Sequence, residues 1–517
     1  MKDSTRTQHS PRTQRLIADL RALLRDDGVG GLDQTRNFRY ENVALALMAV
    51  VGVALIFIFP GSPEQDTDYH FLMARTAWLD HSYFVNVWGR PLFTTTFAPA
   101  ALIGYTAARF FALAISLTTA WQTCRLAIDL RIARAWVVIP VLIGQPSFFA
   151  LFTDVYTEPL FALVFVLALR LHFSGRIKLG MFVASLLPLA RPEGVFLCLC
   201  WGLWVLTQPK TTSLKTSFAR RLINRLASTL ILAIGVVCWW LAALIITGDP
   251  LFILHNWPWG FHSAFVHGSL FDYARRGVEF AGLLLVYPFI VGLWLRLRSR
   301  AWLPITSSVL VLFLLHSVFI AYGLFGEAGY ARYMVAVAPA IALLTLVGWN
   351  AFASIPISFP LVGVIGFVVL TLSFLRSALY VDKMPWARDP IAITEMAAWL
   401  EQNPQPLSGL IWSQGRMCTV LGLNLKNSPY LKPGREDLIT RLRESPSGTI
   451  VFWDDHIGPD WFGLTATEIE DRGYKLLRTR RYVLHSVFFP DDRFASVKSL
   501  LRYPPPREIE LSILQKL

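Results

Sequence analysis

Charge is what this chain has least of. Asp, Glu, Lys and Arg make up 16% of its 517 residues, against about 25% in a soluble domain. Hydrophobic residues reach 54%, and mean hydropathy is +0.47. That excludes an ordinary water-soluble fold, which cannot bury so much apolar surface, and suits a chain in a bilayer. Cysteine is scarce too. The five residues Cys124, Cys198, Cys200, Cys238 and Cys418 show neither zinc spacing nor an even set for a disulfide framework. They read as small buried hydrophobes. No internal repeat and no low-complexity tract is visible. The first 40 residues are polar, and no cleavable signal peptide is expected there.

Acid is scarcer than base, and the net charge is +13. The distribution argues against nucleic acid as the partner. From Asp382 onward the chain is nearly balanced, with 18 Lys/Arg against 17 Asp/Glu. The surplus therefore belongs to the hydrophobic part, mostly in short loops between apolar runs, where it sets orientation.

Those apolar runs lie near 43–60, 98–119, 135–151, 157–173, 179–190, 194–207, 227–247, 280–297, 302–321, 331–350 and 357–377. The fifth and sixth fall short of the roughly 20 residues a full crossing needs. They read as a re-entrant or broken pair, tolerated where backbone lines a protein-buried cavity. With the N-terminus in the cytoplasm, the inside segments hold 21 Lys/Arg, including Arg220, Arg221, Arg225, Arg296, Arg298 and Arg300. The outside loops before the C-terminal part hold about six. Residues 13–25 read as an amphipathic helix on the cytoplasmic surface.

After 377 the pattern changes. Helical spacing at 390–402, 434–444 and 464–472 alternates with strand-like runs at 409–413, 448–453 and 481–489, as in a small α/β domain. The expected fold class is thus a polytopic α-helical membrane protein of about eleven spans with a C-terminal extracytoplasmic α/β domain. The expected division is a cytoplasmic segment 1–42 with its amphipathic helix, a transmembrane catalytic domain 43–377 and a soluble domain 378–517.

Polar residues near the bilayer are costly and mark function. The long loop 61–97 carries Asp66-Thr67-Asp68-Tyr69-His70, with Arg75 and Arg90 nearby. Two carboxylates so spaced can hold a divalent cation, polarise a hydroxyl or act as a general base; otherwise they are an exposed acidic loop. Three further groups fall on the same expected side. Asp154 and Glu158 stand where the third and fourth runs meet. Arg191-Pro192-Glu193-Gly194 separates the two short runs. Tyr330-Ala331-Arg332-Tyr333 opens the tenth, with Glu327 just before it. Each has a structural alternative: a helix-start acid, a buried ion pair, a snorkelling arginine. Their convergence on one face suits an anionic lipid-linked substrate, with arginines on phosphate oxygens and a carboxylate taking a proton. The loop 248–279, with His255, Trp257, Trp259, His262 and His267, reads as interface aromatics or a sugar-stacking surface, without metal spacing. Asp454-Asp455-His456 reads chiefly as a solvated loop.

In order, these motifs resemble those of GT-C glycosyltransferases across 43–377. Asp66–Asp68 running into Tyr69-His70-Phe71-Leu72-Met73-Ala74-Arg75 resembles the family's acidic loop after the first span. Tyr156-Thr157-Glu158-Pro159-Leu160-Phe161, Ala190-Arg191-Pro192-Glu193-Gly194 and Arg332-Tyr333 with Pro339 resemble later elements of bacterial members. The resemblance implies an inverting transferase in a bacterial inner or plasma membrane. The donor it implies is a polyprenyl-phosphate sugar, and the acceptor an extracytoplasmic hydroxyl on a lipid, glycan or protein. Membrane lipid is a partner and nucleic acid is not. Asp66 or Asp68 would be the base, with the resemblance leaning to Asp66. Arg191 and Arg332 would stabilise the phosphate. His70, Arg75, Asp154, Glu158, Glu193, Tyr330 and Tyr333 would complete the substrate site. No cofactor is required, and a divalent cation on Asp66 and Asp68 is allowed. The acidic motif departs from the family's adjacent acids by reading D-T-D. The competing readings are a polyprenyl-linked glycan polymerase or ligase, and a transporter or flippase.

Overall fold

The computed structural model describes residues 34–59, 61, 65–207, 218–258, 260, 268–299, 302–353, 359–383, 389–404, 409–426, 428, 435–455, 457–484 and 507–517. The amphipathic helix expected at 13–25 lies outside them. The principal helices are α1 Gln34–Ile58, α2 Gln65–Thr76, α3 Pro91–Ile103, α4 Tyr105–Asp129, α5 Thr157–Phe173, α6 Ile177–Ala184, α7 Gly194–Thr207, α8 Ile234–Thr247, α9 Val286–Ser299, α10 Leu303–Tyr322, α11 Ala338–Ala353, α12 Phe359–Lys383, α13 Asp389–Gln402 and α14 Gly415–Val420.

Among the described residues, four helical stretches are long and apolar enough to cross a bilayer: Arg39–Ile58, Ile223–Thr247, Leu303–Tyr322 and Ala331–Ala353. The first two keep most of their apolar side chains on the outside, with Leu47, Val50, Phe57 and Ile245 exposed. In water that would be a large penalty; in lipid it costs nothing, because the tails are as apolar as leucine. The chain is an integral membrane protein. Of the cysteines, Cys124, Cys198 and Cys418 are buried, Cys200 is half-buried and Cys238 is exposed. Cys238 thus departs from the buried reading because α8 turns that side out of the bundle.

The stretch 135–151, expected as one span, is three pieces: a 3-10 turn at Ala135–Val137, then helices Val138–Ile143 and Pro146–Leu151. Pro146 has no N–H to continue the ladder and opens the new helix instead. The break is tolerated because protein surrounds it. Phe148, Leu142 and Ile143 are fully buried, and the Gln145 side chain donates to the Ala338 carbonyl at 3.2 Å. The short pair 179–190 and 194–207 appears as α6, a turn of helix at Leu187–Ala190, and α7, with Arg191-Pro192-Glu193 between them.

Helices α9 and α11 meet almost backbone to backbone. A Cβ on Gly292 would stand 1.8 Å from the Leu344 carbonyl oxygen, and one on Gly348 would stand 1.8 Å from that of Pro288. Small residues permit such approach in membranes. Gly292→Val or Gly348→Val should therefore cost several degrees of thermal midpoint in detergent. Gly363→Val on α12, where a Cβ meets nothing within 4 Å, should not. Equal midpoints for all three would contradict this packing.

Beyond α13 the chain forms a four-stranded mixed sheet of β1 Leu410–Trp412, β2 Ile450–Asp454, β3 Tyr474–Leu484 and β4 Arg507–Lys516, in the order β1-β2-β4-β3. β1 and β2 are parallel, and the other pairs are antiparallel. The strand expected at 481–489 starts earlier, at Tyr474, and its tail beyond Leu484 lies outside the described residues. β4 was not anticipated. Alternation fixes the two faces. Leu410, Trp412, Ile450, Phe452, Leu511 and Ile513 point one way and share a core with Tyr69, Phe71, Leu72, Phe93, Phe97 and the α13 residues Ile393 and Met396. Ile411, Val451, Trp453 and Leu514 point the other way, onto Leu438, Leu442 and Phe462. The sheet is therefore packed directly against α2 and α3 rather than tethered to them.

Candidate active site

The acidic motif is helical. Asp66 and Asp68 sit in the first turn of α2, where the helix dipole favours carboxylates. Residues two apart on a helix do not face each other, so the two acids diverge. Asp66 pairs with Arg332, and its side chain stays 40% exposed. Asp68 is fully buried and turns to Arg416, whose Nε is 3.3 Å from Oδ2. The D-T-D spacing thus yields two separate ion pairs, Asp66 with Arg332 and Asp68 with Arg416.

Around Arg332 the motifs read separately in the sequence come together. Its guanidinium lies over the rings of Tyr330 at 4.6 Å and Tyr156 at 4.9 Å. Its Nε is 3.9 Å from Glu158 Oε1. The same Glu158 oxygen takes Arg191 Nη1 at 2.7 Å. Arg191 also pairs through Nε with Glu193 and donates to the Thr157 hydroxyl at 3.0 Å. Its guanidinium faces the Tyr333 ring at 5.0 Å. Arg191 ends the turn Leu187–Ala190, and Gly194 opens α7 hard against that turn: a Cβ there would meet the Leu187 carbonyl carbon at 2.4 Å. That close approach is why glycine follows Glu193.

Arg90 completes the cluster. It is buried, donates to the Val87 carbonyl at 3.0 Å, and its charge acts on Arg191, Glu193, Glu158 and Asp66. Its backbone is held at φ 60°, a conformation costing on the order of 1–3 kcal/mol for a non-glycine residue. Burial pushes its pKa down to about 10, so it stays charged at neutral pH. Three guanidiniums, from Arg90, Arg191 and Arg332, thus face three carboxylates, from Asp66, Glu158 and Glu193. Burial pushes the Asp66 carboxyl up, but Arg332 and the other groups around it, Arg191 among them, together outweigh that and hold it below the ordinary range.

The Asp68 pair joins α2 to the sheet region. Arg416 Nη2 donates to the Tyr105 hydroxyl at 3.1 Å, and that hydroxyl is 3.3 Å from the Thr67 hydroxyl. Burial pushes the Asp68 pKa up to about 6, against the pull of Arg416. A native carboxyl that holds its proton more tightly than the unfolded one makes the fold less stable as pH rises. For Asp68 the window runs from about pH 4 to about 6. Asp68→Asn should flatten the fall of thermal midpoint across that window. An unchanged slope would refute the assignment.

The remaining expected site residues lie nearby but do other things. His70 is buried, with its ring 4.4 Å from that of Trp88, and burial pushes its pKa down to about 3. It is a neutral wall beside Asp66. Arg75 is at the far end of α2, about 13 Å along the helix from Asp66, beside Cys418. The structure keeps it out of the cluster. Asp154 pairs with Arg109 at 3.3 Å, and Arg109 Nη1 donates to the carbonyls of Ile56 at 2.9 Å and Phe59 at 2.6 Å. This fixes the end of α1 to α4 and is a brace. In the 248–279 loop, His255 pairs with Asp249 at 2.8 Å on the surface and Trp257 is exposed; Trp259, His262 and His267 lie outside the described residues. Asp454 is the last residue of β2 and fully buried, with Gln414 donating to it. It is not the solvated loop residue expected, because the strand runs one residue further than its apolar pattern. His456 lies outside the described residues.

No family model matches the chain, and no curated protein matches it either. Solved structures do. The crystal structure of ArnT from Cupriavidus metallidurans bound to undecaprenyl phosphate superposes with a TM-score of 0.57 at 13% identity, covering 90% of this chain and 97% of that one. This chain has the GT-C fold. A disulfide-tethered oligosaccharyltransferase–acceptor peptide structure from Archaeoglobus fulgidus gives a TM-score of 0.46 at 11% identity, covering 83% and 72%. At 13% identity the likeness to the ArnT structure shows the fold alone.

Proposed function

We propose that this chain is a membrane glycosyltransferase that moves a sugar, with inversion, from a polyprenyl phosphate to an extracytoplasmic acceptor hydroxyl. One observation carries this reading: Arg332 pairs with Asp66, the exposed acid of the motif, while sharing Glu158 with Arg191. The undecaprenyl phosphate bound to the ArnT structure of the same fold supports such a carrier. In the resting site the three guanidiniums are balanced by carboxylates. A donor phosphate brings a negative charge that competes for Arg332 and Arg191, preferably through paired N–H groups. As Arg332 turns to the phosphate, Asp66 loses the cation that keeps it a weak base. Donor binding thereby raises the basicity of Asp66 toward the range where general bases work. The acceptor oxygen then attacks the anomeric carbon, Asp66 takes its proton, and the bond from that carbon to the phosphate oxygen breaks. The leaving polyprenyl phosphate carries its charge off against Arg191 and Arg332. Asp68, buried in its own pair, is a brace for α2.

About eleven spans with the N-terminus inside and the C-terminal domain outside, in a bacterial inner membrane, complete the proposal. The 21 inside Lys/Arg support that orientation. Native mass spectrometry of the detergent-purified protein tests the core of it. Bound polyprenyl phosphate, absent from Arg191→Ala, is the expected result. A polyprenyl diphosphate–oligosaccharide would favour the polymerase or ligase. No polyprenyl lipid, even after addition, would favour the transporter. A C-terminal reporter with a cytoplasmic signal would overturn the topology.

A further inference from the structure

A second polar centre, unused in the mechanism above, lies behind Tyr333. His316, in the middle of α10, is 4% exposed. Its Nδ1 stands 2.7 Å from Glu327 Oε2. The other oxygen of Glu327 accepts from the Tyr273 hydroxyl at 2.9 Å and from the Gly329 backbone N–H at 2.9 Å. Glu327 thereby orients the ring, with Nδ1 turned to its carboxylate and Nε2 turned away from it. Nε2 is buried and has no hydrogen-bond partner among the described residues. Buried polar atoms without partners are rare and call for an explanation.

The imidazole is held on both faces. Its ring lies 5.5 Å from that of Tyr273 and 5.1 Å from that of Tyr333. The half-buried Tyr333 ring also faces the Arg191 guanidinium at 5.0 Å, and His316 lies near Glu193. The Glu327-oriented histidine thus shares the Tyr333 ring with the proposed phosphate-binding Arg191. The group that adjoins the donor phosphate is the donor sugar.

We propose that His316, oriented by Glu327, is a specificity-determining residue whose Nε2 accepts a hydrogen bond from a hydroxyl of the donor sugar. The inference rests on the transferase reading and deepens it. A buried acceptor of this kind discriminates strongly against a sugar lacking that hydroxyl, because the site's own polar atom is then left unpaired.

The test uses full-length protein with ¹⁵N-labelled histidine rings, and two kinds of probe: undecaprenyl phosphate alone, and undecaprenyl phosphate bearing mannose, glucose or galactose. The His316 Nε2 resonance is identified by its loss in His316→Gln. It should have the position of an unprotonated nitrogen in the free protein, stay there with the bare lipid, and shift on binding a sugar-bearing lipid. Glu327→Gln should move the proton to Nε2, a spectroscopic change that a merely structural role for Glu327 would not produce. By native mass spectrometry His316→Ala should bind the preferred sugar-bearing lipid about tenfold more weakly, the worth of one hydrogen bond, and the bare lipid as well as wild type does. A bound sugar-lipid that leaves the resonance unmoved, or equal loss of both lipids, would overturn the inference while the transferase reading stands. If neither lipid binds the wild type, both fall together.

Discussion

Asp66→Asn should lower the rate of the proposed sugar transfer by roughly a hundred- to ten-thousandfold, the usual worth of a positioned general base, and leave the protein folded. The side chain is the exposed member of the acidic pair, and Asn fills the same space. Its partner Arg332 remains over Tyr330 and Tyr156, so the cation is not left in an empty apolar hole. Donor binding should hold or tighten, since Arg332 no longer has a carboxylate to give up. Asp68→Asn should keep most of its activity, because that carboxylate faces Arg416. Measured transfer with both variants decides the matter. A fully active Asp66→Asn, or an inactive Asp68→Asn at normal stability, would reverse the two roles.

Arg191→Ala has the other large effect, and it shows in two readouts. Removing the guanidinium takes the ion pair from Glu193 and leaves Glu158 with the longer 3.9 Å contact to Arg332, both acids being nearly fully buried. Breaking a buried pair by taking one partner costs about 3–5 kcal/mol. Arg191→Ala should therefore lower the thermal midpoint and abolish donor binding together. The triple variant Arg191→Ala, Glu158→Gln, Glu193→Gln separates the two effects. Neutralising the stranded acids should restore much of the midpoint, while donor binding stays lost. Arg191→Lys should recover little binding, because a lysine cannot span Glu158, Glu193 and Thr157 at once. Donor binding regained in the triple variant would reduce Arg191 to a structural residue.

The motifs legible in the sequence are those that the bilayer makes expensive. Glu158, Arg191, Glu193 and Arg332 stand out because each interrupts an apolar run, and the structure draws them into one cluster. What escaped notice had no such contrast. Arg416 lies in a region where charge is ordinary, so nothing in its neighbours points to Asp68. Arg90 stands out only as a neighbour of the acidic motif, and its unusual backbone leaves no mark in the letters. His316 is a single polar residue in a long apolar helix, easily read as a tolerated exception; its meaning comes from Glu327 and Tyr273, which only the fold brings near. Some signals were present and missed. Arg507–Lys516 alternates Ile509, Leu511 and Ile513 inward with Glu508 and Glu510 on the other side, a period of two. Pro140, Gly144 and Pro146 announce the breaks in 135–151. The helical state of the acidic motif was the least readable. Read as a loop, D-T-D suggests two acids acting together; on a helix the same spacing sends them apart.

The strand order has a consequence for how the protein is made. β4 is synthesised after the other three strands, yet it lies between β2 and β3. Until it arrives, β3 has no neighbour in the sheet, and the apolar face over α2 and α3 lacks Leu511 and Ile513. The membrane helices leave the ribosome long before that. Through most of biogenesis, then, the helix bearing Asp66 has no finished roof above it, and the fold stays unlocked until its last strand has slotted home.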